Sequence, residues 1–288
     1  MSIAMLGTGL RKVAAVGALA LASAGLSIAT TSPAQAESAS LSYTCTVPIL
    51  GDKTFTVVAD TDAPAKTVVG QSFTPAVAST VTIPEDVAGL ISGVLGATTV
   101  EGTAVVTTLV GDRTEAVDLA VPLTEIPAGP LAVVATGVGA PVTATKAGQL
   151  VLASSDFTSH LVFKKADGSE ALTADVPCTL DEGQDATVDT IAVAKAGTRT
   201  SASVKYVKSK KQFKLTAKVK APVKATGTVK LAVTKNGKKF KTVKAKVNKR
   251  GVAKATVKRV KKGKYVIKAT YSGNKNLKAS TDKVKKKV

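Results

Sequence analysis

His160 is the only histidine in the chain, in the stretch "FTSHLVF", and Ser154, Ser155 and Ser159 lie within a few residues of it. A serine nucleophile needs a base within hydrogen-bond reach and an acid to orient that base. No G-x-S-x-G turn exists to present a serine above a sheet, and a lone histidine on a strand reads as a surface or half-buried residue. Other groupings fail in similar ways. Glu85 and Asp86 are a carboxylate pair, but acids in the first turn of a helix are explained by the helix dipole. Asp181, Glu182 and Asp185 lack the spacing and the closing Glu of a calcium loop and read as solvated linker. Gly137 and Gly139 in "ATGVGAP" have no helix after them, so they make no phosphate loop. The residue types therefore predict no catalytic site, no metal site and no cofactor.

Lysine is the chemistry that remains. The formal net charge of +20 divides sharply. Residues 37–194 hold 6 bases against 19 acids, a balance of −13, whereas residues 195–288 hold 32 bases against Asp282 alone, a balance of +31. Such a reversal marks a domain boundary. The polar stretch "DEGQDATVDTIAVAKAGTRT" across it reads as a linker over 181–199, between an acidic domain at 37–180 and a lysine-rich domain at 200–288.

The elements that position the lysines are strands. In "QFKLTAKVK", Phe213, Leu215, Ala217 and Val219 alternate with Lys214, Thr216, Lys218 and Lys220. "TVKLAVT" and "KYVIKATY" repeat the period of two, which puts the apolar set on one face and the lysines on the other. A disordered cationic tail has no reason to keep that register. About seven such strands are expected, with turns at "KNGKK" and "NKRG". The exposed array expected to touch a polyanion comprises Lys214, Lys218, Lys220, Lys230, Lys244, Lys246, Lys254, Lys258, Lys264 and Lys268. Two readings of it stand side by side: a solubilising face on a plain spacer, and electrostatic attachment to an anionic cell-wall polymer or other polyanion. Only Arg199, Arg250 and Arg259 among these bases can make bidentate contacts, so recognition of a nucleic-acid sequence is not expected. Nonspecific, salt-sensitive nucleic-acid binding is the alternative. An enzyme built on the acidic domain is a third class, for which the sequence supplies no constellation.

The acidic part reads as short strands, among them "TFTVVAD", "ASTVTI", "GTAVVTTLV" and "LAVVATGV", with an Asp-Gly hairpin at "KADGS". "IPEDVAGLISGVLG" alone has helical spacing and predicts one short helix across the end of a sandwich. The class is all-β: two β-sandwich domains, the second immunoglobulin-like.

Residues 1–36 carry Arg11 and Lys12, an apolar Ala/Gly-rich run and the Ala34-x-Ala36 arrangement of a cleaved leader, against the alternative of a retained anchor. The expectation is export with Glu37 first, no transmembrane segment thereafter, and a secreted or wall-associated protein. In an oxidising compartment Cys45 and Cys178 are expected to form a disulfide that joins the first and last strands of the acidic domain and closes it; two buried thiols in a reduced protein are the alternative.

Two resemblances extend this reading. "GKYVIKATYSGNKNLKAS" resembles the closing hairpin of bacterial Ig-like repeats on secreted and surface proteins, through Gly263, Tyr265, Ala269, Tyr271, Ser272, Gly273 and Asn276, and "ATGTVKLAVTKNGK" resembles an earlier strand pair of the same family. Asn274 stands where the repeats carry an acid. The resemblance implies a spacer or adhesive module over 200–288. The segments "YTCTVP", "VEGTA", "IPAGPLAVVATG" and "VPCTL" are similar to an uncharacterised domain of exported actinobacterial proteins, which implies the Cys45–Cys178 pair and no function.

Overall fold

The computed structural model of the chain describes residues 37–288; the expected leader lies outside them. The fold is all-β with one short helix. The first part contains β1 (Leu41–Val47), β2 (Gly51–Thr61), β3 (Lys66–Val68), β4 (Ser72–Phe73), β5 (Ala76–Ile83), α1 (Glu85–Gly93), β6 (Ala97–Val110), β7 (Arg113–Glu125), β8 (Leu131–Val138), β9 (Val142–Thr143), β10 (Gly148–Lys165), β11 (Glu170–Leu180) and β12 (Thr187–Ala194). Eight of these strands pair antiparallel in the order β1-β2-β5-β8-β7-β6-β10-β11, and β11 returns to β1. The sandwich is thus joined at both edges into a ring. Alternation explains the core: Phe55, Val57, Leu119, Val133, Phe157 and Val176 point inward from their strands, all buried. Gly137 serves closure rather than phosphate. It pairs with Leu119 where β7 meets β8, and a Cβ there would stand 2.2 Å from the Asp118 carbonyl oxygen.

The expected helix forms at Glu85–Gly93. The Pro84 carbonyl accepts the first helical bonds, from the backbone N–H groups of Val87 and Ala88. Val87, Ala88 and Ile91 are its buried face, set against one end of the ring. The hairpin at "KADGS" also forms, with Gly168 at φ 83° joining β10 to β11.

The second part has seven strands: β13 (Arg199–Val207), β14 (Gln212–Lys220), β15 (Thr228–Lys235), β16 (Lys238–Lys246), β17 (Val252–Val257), β18 (Lys264–Tyr271) and β19 (Ser280–Lys287). They form a three-stranded sheet, β13-β14-β17, and a four-stranded sheet, β16-β15-β18-β19. Phe213, Leu215, Leu231, Ile267, Tyr265 and Tyr271 fill the space between the two, each at most 1% exposed. This is an Ig-like sandwich.

Residues 181–199 are not a linker. β12 lies within them, antiparallel to β10 and parallel to β3, with Val188, Ile191 and Val193 buried. Val193 and Ala196, together with Val69 and Ala144, belong to the same apolar cluster as the core of the Ig-like sandwich. Asn276 stitches the junction: its side-chain NH2 donates to the Thr145 carbonyl and its Oδ1 accepts from the Ala147 N–H, both at 3.1 Å. The Ala196 N–H donates to the Asn276 carbonyl at 3.0 Å, and the Lys278 N–H to the Ala196 carbonyl at 2.8 Å. Charge and glycine masked an alternating strand.

Asp189 on β12 is 7% exposed and accepts a hydrogen bond from the Thr61 hydroxyl. Burial holds its carboxyl above the ordinary value despite that bond, and Asp60 and Asp62 add to the rise. A carboxyl whose folded value is raised opposes folding once pH rises through it. Asp189→Asn keeps an acceptor for Thr61 and removes the charge, so the variant should be more stable than the parent at pH 7. The difference should shrink as pH falls toward the ordinary carboxylate range, where both carry a neutral group. Urea titrations at a series of pH values check this; a variant less stable than the parent at pH 7 refutes it.

Candidate polyanion-binding faces

The period of two fixes which residues share each outer face. On the three-stranded sheet, ladder partners across β13 and β14 include Arg199 with Lys220, Ser201 with Lys218, Ser203 with Thr216, and Lys205 with Lys214. On the other side of β14, Thr216 faces Lys254 and Lys214 faces Thr256. A shallow depression follows these rows, lined in part by Lys205, Lys214, Lys254 and the hydroxyls of Ser203, Thr216 and Thr256. On the four-stranded sheet Lys230 lies opposite Lys244, Lys268 opposite Lys283, and Lys264 opposite Lys287. Lys246 extends that face opposite Thr228.

The structure exposes all ten lysines singled out in the sequence and divides them between the two faces. Lys214, Lys218, Lys220 and Lys254 share one, with Lys258 just past the end of β17; Lys230, Lys244, Lys246, Lys264 and Lys268 share the other. Sequence reasoning left out Arg199, Lys205, Lys283, Lys285 and Lys287, which complete the rows. The signal was present in "STDKVKKKV", where Lys283, Lys285 and Lys287 alternate with Asp282 and Val284. The clustered charge there obscured the alternation.

Like charges directly opposite on a sheet destabilise it, and no lysine of these rows forms an ion pair with a carboxylate. Among the described residues the ion pairs join Lys53 with Asp86, Arg113 with Glu115, Lys146 with Asp112, His160 with Asp175, and Lys164 with Glu101, all in the first part. Asp282 is committed elsewhere. Its carboxylate accepts from the Ala202 N–H at 2.7 Å, tying β19 to β13, and that bond holds its carboxyl below the ordinary value.

The residues weighed for catalysis lie apart. Ser154 is buried, its hydroxyl 3.0 Å from that of Tyr43 inside the ring. His160 is exposed on the outside of β10, with Nδ1 2.6 Å from an Asp175 carboxylate oxygen. Ser159 precedes it on the strand and lines the ring interior. Asp86 pairs with Lys53 at 2.8 Å beside the first turn of α1, and the hydrogen bond from Lys53 lowers its carboxyl. Asp181 is a clasp rather than linker solvation: Ser42 and Thr44 on β1 both donate to its carboxylate, which holds it below the ordinary value. Among the described residues no group of three His, Cys, Asp or Glu side chains is placed to hold a metal ion.

The family of unknown function DUF6801 matches residues 42–189, just over half of the chain. The chain belongs to the DUF6801 family. In this member the DUF6801 region is followed by a bacterial Ig-like domain (group 3), matched over residues 198–288. No curated protein matches the chain. Among solved structures it is similar to a protein of Corynebacterium diphtheriae described as membrane anchored, at 13% identity and a TM-score of 0.41, covering 87% of this chain and 58% of the other. The beta-glucuronidase of Lactobacillus rhamnosus is similar at 10% identity and a TM-score of 0.21, covering 73% of this chain and 35% of that one. The chain thus spans less than two thirds of the length of either.

Proposed function

We propose that this DUF6801 protein is a non-enzymatic component of the cell envelope whose Ig-like domain attaches to anionic wall polymers through its two lysine faces. The observation that carries the reading is the register of lysine against lysine on both outer faces, with the one acid of that domain spent on a backbone bond. A plain spacer needs solubility, which mixed charges supply without repulsion. Faces of a single sign cost stability when free and regain it when a polyanion lies across them. The Cys45–Cys178 disulfide fits an exported protein. No helix among the described residues is long and apolar enough to cross a membrane.

The test is binding of the purified protein to wall fractions with and without teichoic acid, and to duplex DNA as a reference polyanion. Affinity should fall steeply with salt, by about 0.9 in log–log slope for each phosphate neutralised on DNA. Lys218→Ala or Lys268→Ala should lower that slope by at most about one unit, since no lysine is privileged. Added salt should also raise the melting temperature of the free protein by screening the lysine pairs. Equal binding to fractions with and without teichoic acid, or binding indifferent to salt, overturns the proposal.

A further inference from the structure

The Ig-like domain packs beside Val69 and Ala144 at one end of the DUF6801 ring. The other end is where β2 begins, β10 turns into β11, and α1 lies across the opening. Beneath α1 is a cavity of about 220 Å³. Every side chain on its wall is Val, Leu, Ile, Ala, Phe or Pro, so none offers a hydrogen bond. Its floor is deeply buried, with Phe163 3%, Ile83 4% and Ala174 5% exposed. Its mouth is the reverse: Ile49, Val94 and Leu90 line the same space and are 94%, 73% and 40% exposed. Ile49 is held there at φ 72°, a left-handed conformation that a β-branched residue rarely adopts.

We infer that this cavity holds the alkyl tail of an amphiphile, the chemistry of a lipid acyl chain. The wall fixes the class of the buried part. With no donor or acceptor side chain facing it, any polar atom carried inside would lose its hydrogen bonds to water. The space is about half as large again as an apolar cavity of about 150 Å³ that stays dry and takes benzene. Left empty, it forfeits dispersion contacts on all its walls. The exposed apolar mouth continues the path for further methylenes and leaves a polar head in water. Around the helix start Lys53 pairs with Asp86 and Asp52 accepts from the Thr46 hydroxyl, while Glu85 is exposed to water. The wall therefore selects the tail rather than the head.

The experiment titrates the full chain with 1-hexanol, 1-octanol and 1-decanol, and with the matching alkanoates, by calorimetry or methyl NMR. Affinity should rise about fourfold per added methylene, saturate at one ligand per chain, and differ little between alcohol and alkanoate. Ala174→Phe fills the floor and should weaken 1-decanol binding at least tenfold. Val94→Ser and Ile49→Ser, both at exposed positions that do not carry the fold, should each weaken it several-fold, so the inference stays testable if Ala174→Phe does not fold. An affinity flat with chain length, unchanged binding in the mouth variants, or binding to phosphatidylcholine vesicles without saturable binding of the single-chain probes would overturn it. The last result would make this end a bilayer contact instead.

Discussion

Replacing Cys45 and Cys178 together by alanine is expected to destabilise the protein by about 2–5 kcal/mol and to lower its melting midpoint by roughly 4–20 °C. The two cysteines are direct ladder partners where β1, the first strand of the ring, meets β11, its last. That seam is short: Tyr43 opposite Leu180, Thr44 opposite Thr179, and Cys45 opposite Cys178. The bond closes a sequence separation of 133 residues, a loop for which the chain-entropy model gives about 5 kcal/mol as an upper figure. What remains in the double variant is a set of polar clasps. Asp181 accepts from the Ser42 and Thr44 hydroxyls, and Gln184 both accepts from the Ser42 N–H and donates to its carbonyl. Each is worth about 1 kcal/mol, enough to retain the ring but not to replace the bond. Because Val193 and Ala196 lie in the core of the Ig-like domain, the melting of that domain should shift with the ring. Calorimetry decides it. A shift under about 1 °C, or an Ig-like transition that stays in place while the ring transition moves, contradicts the account.

Alternation made most of this fold legible. Phe213/Leu215/Ala217/Val219 and Tyr265/Ile267/Ala269/Tyr271 specified buried faces, and the structure buries all eight at no more than 4% exposure. The helix was legible because Val87, Leu90, Ile91, Val94 and Leu95 fall at helical spacing, and the disulfide because an even pair of cysteines brackets one segment. That the disulfide joins the first and last strands of the acidic domain was legible; that the strands also pair into a ring was not. The ring depends on β10, whose 18 residues serve β12 with the first half and β11 with the second, and a single strand's pattern does not say where its partners change. β12 was missed for a different reason. Val188, Ile191 and Val193 carry strand character, but four acids and a glycine just before Ile191 give the segment the composition of a linker. The lysine faces stood at the opposite extreme, visible by type at once. Their opposition of lysine to lysine waited on the pairing of strands far apart in sequence, such as Lys230 with Lys244 and Lys268 with Lys283.

Tyr265→Ala is expected to cost about 3–5 kcal/mol, Tyr265→Phe only about 1 kcal/mol, and Tyr265→Asp to leave the Ig-like domain unfolded. The ring of Tyr265 is 1% exposed between two others, with centroids 5.0 Å from Phe213 and 5.6 Å from Phe240, both edge-on. Edge-to-face pairs add to the area term, so truncation loses burial and two ring contacts and leaves a cavity between the sheets. The hydroxyl donates to the Lys261 carbonyl at 2.7 Å and accepts from the Lys261 N–H at 3.1 Å, fixing the turn before β18. Lys261 is exposed, so in Tyr265→Phe water takes over both bonds and the loss stays small. Aspartate is different in kind. Its charge would sit between Phe213 and Phe240 with no partner in the core, and the one cation near the ring, Lys235, lies 6.0 Å from its centroid over the face. Urea denaturation followed by tyrosine fluorescence, free of tryptophan in this chain, should order the variants as parent, Phe, Ala and Asp. If aspartate is tolerated, residue 265 is not in a dry core and the sandwich is packed otherwise. If phenylalanine costs as much as alanine, the turn bonds to Lys261 hold this corner of the domain rather than the aromatic cluster.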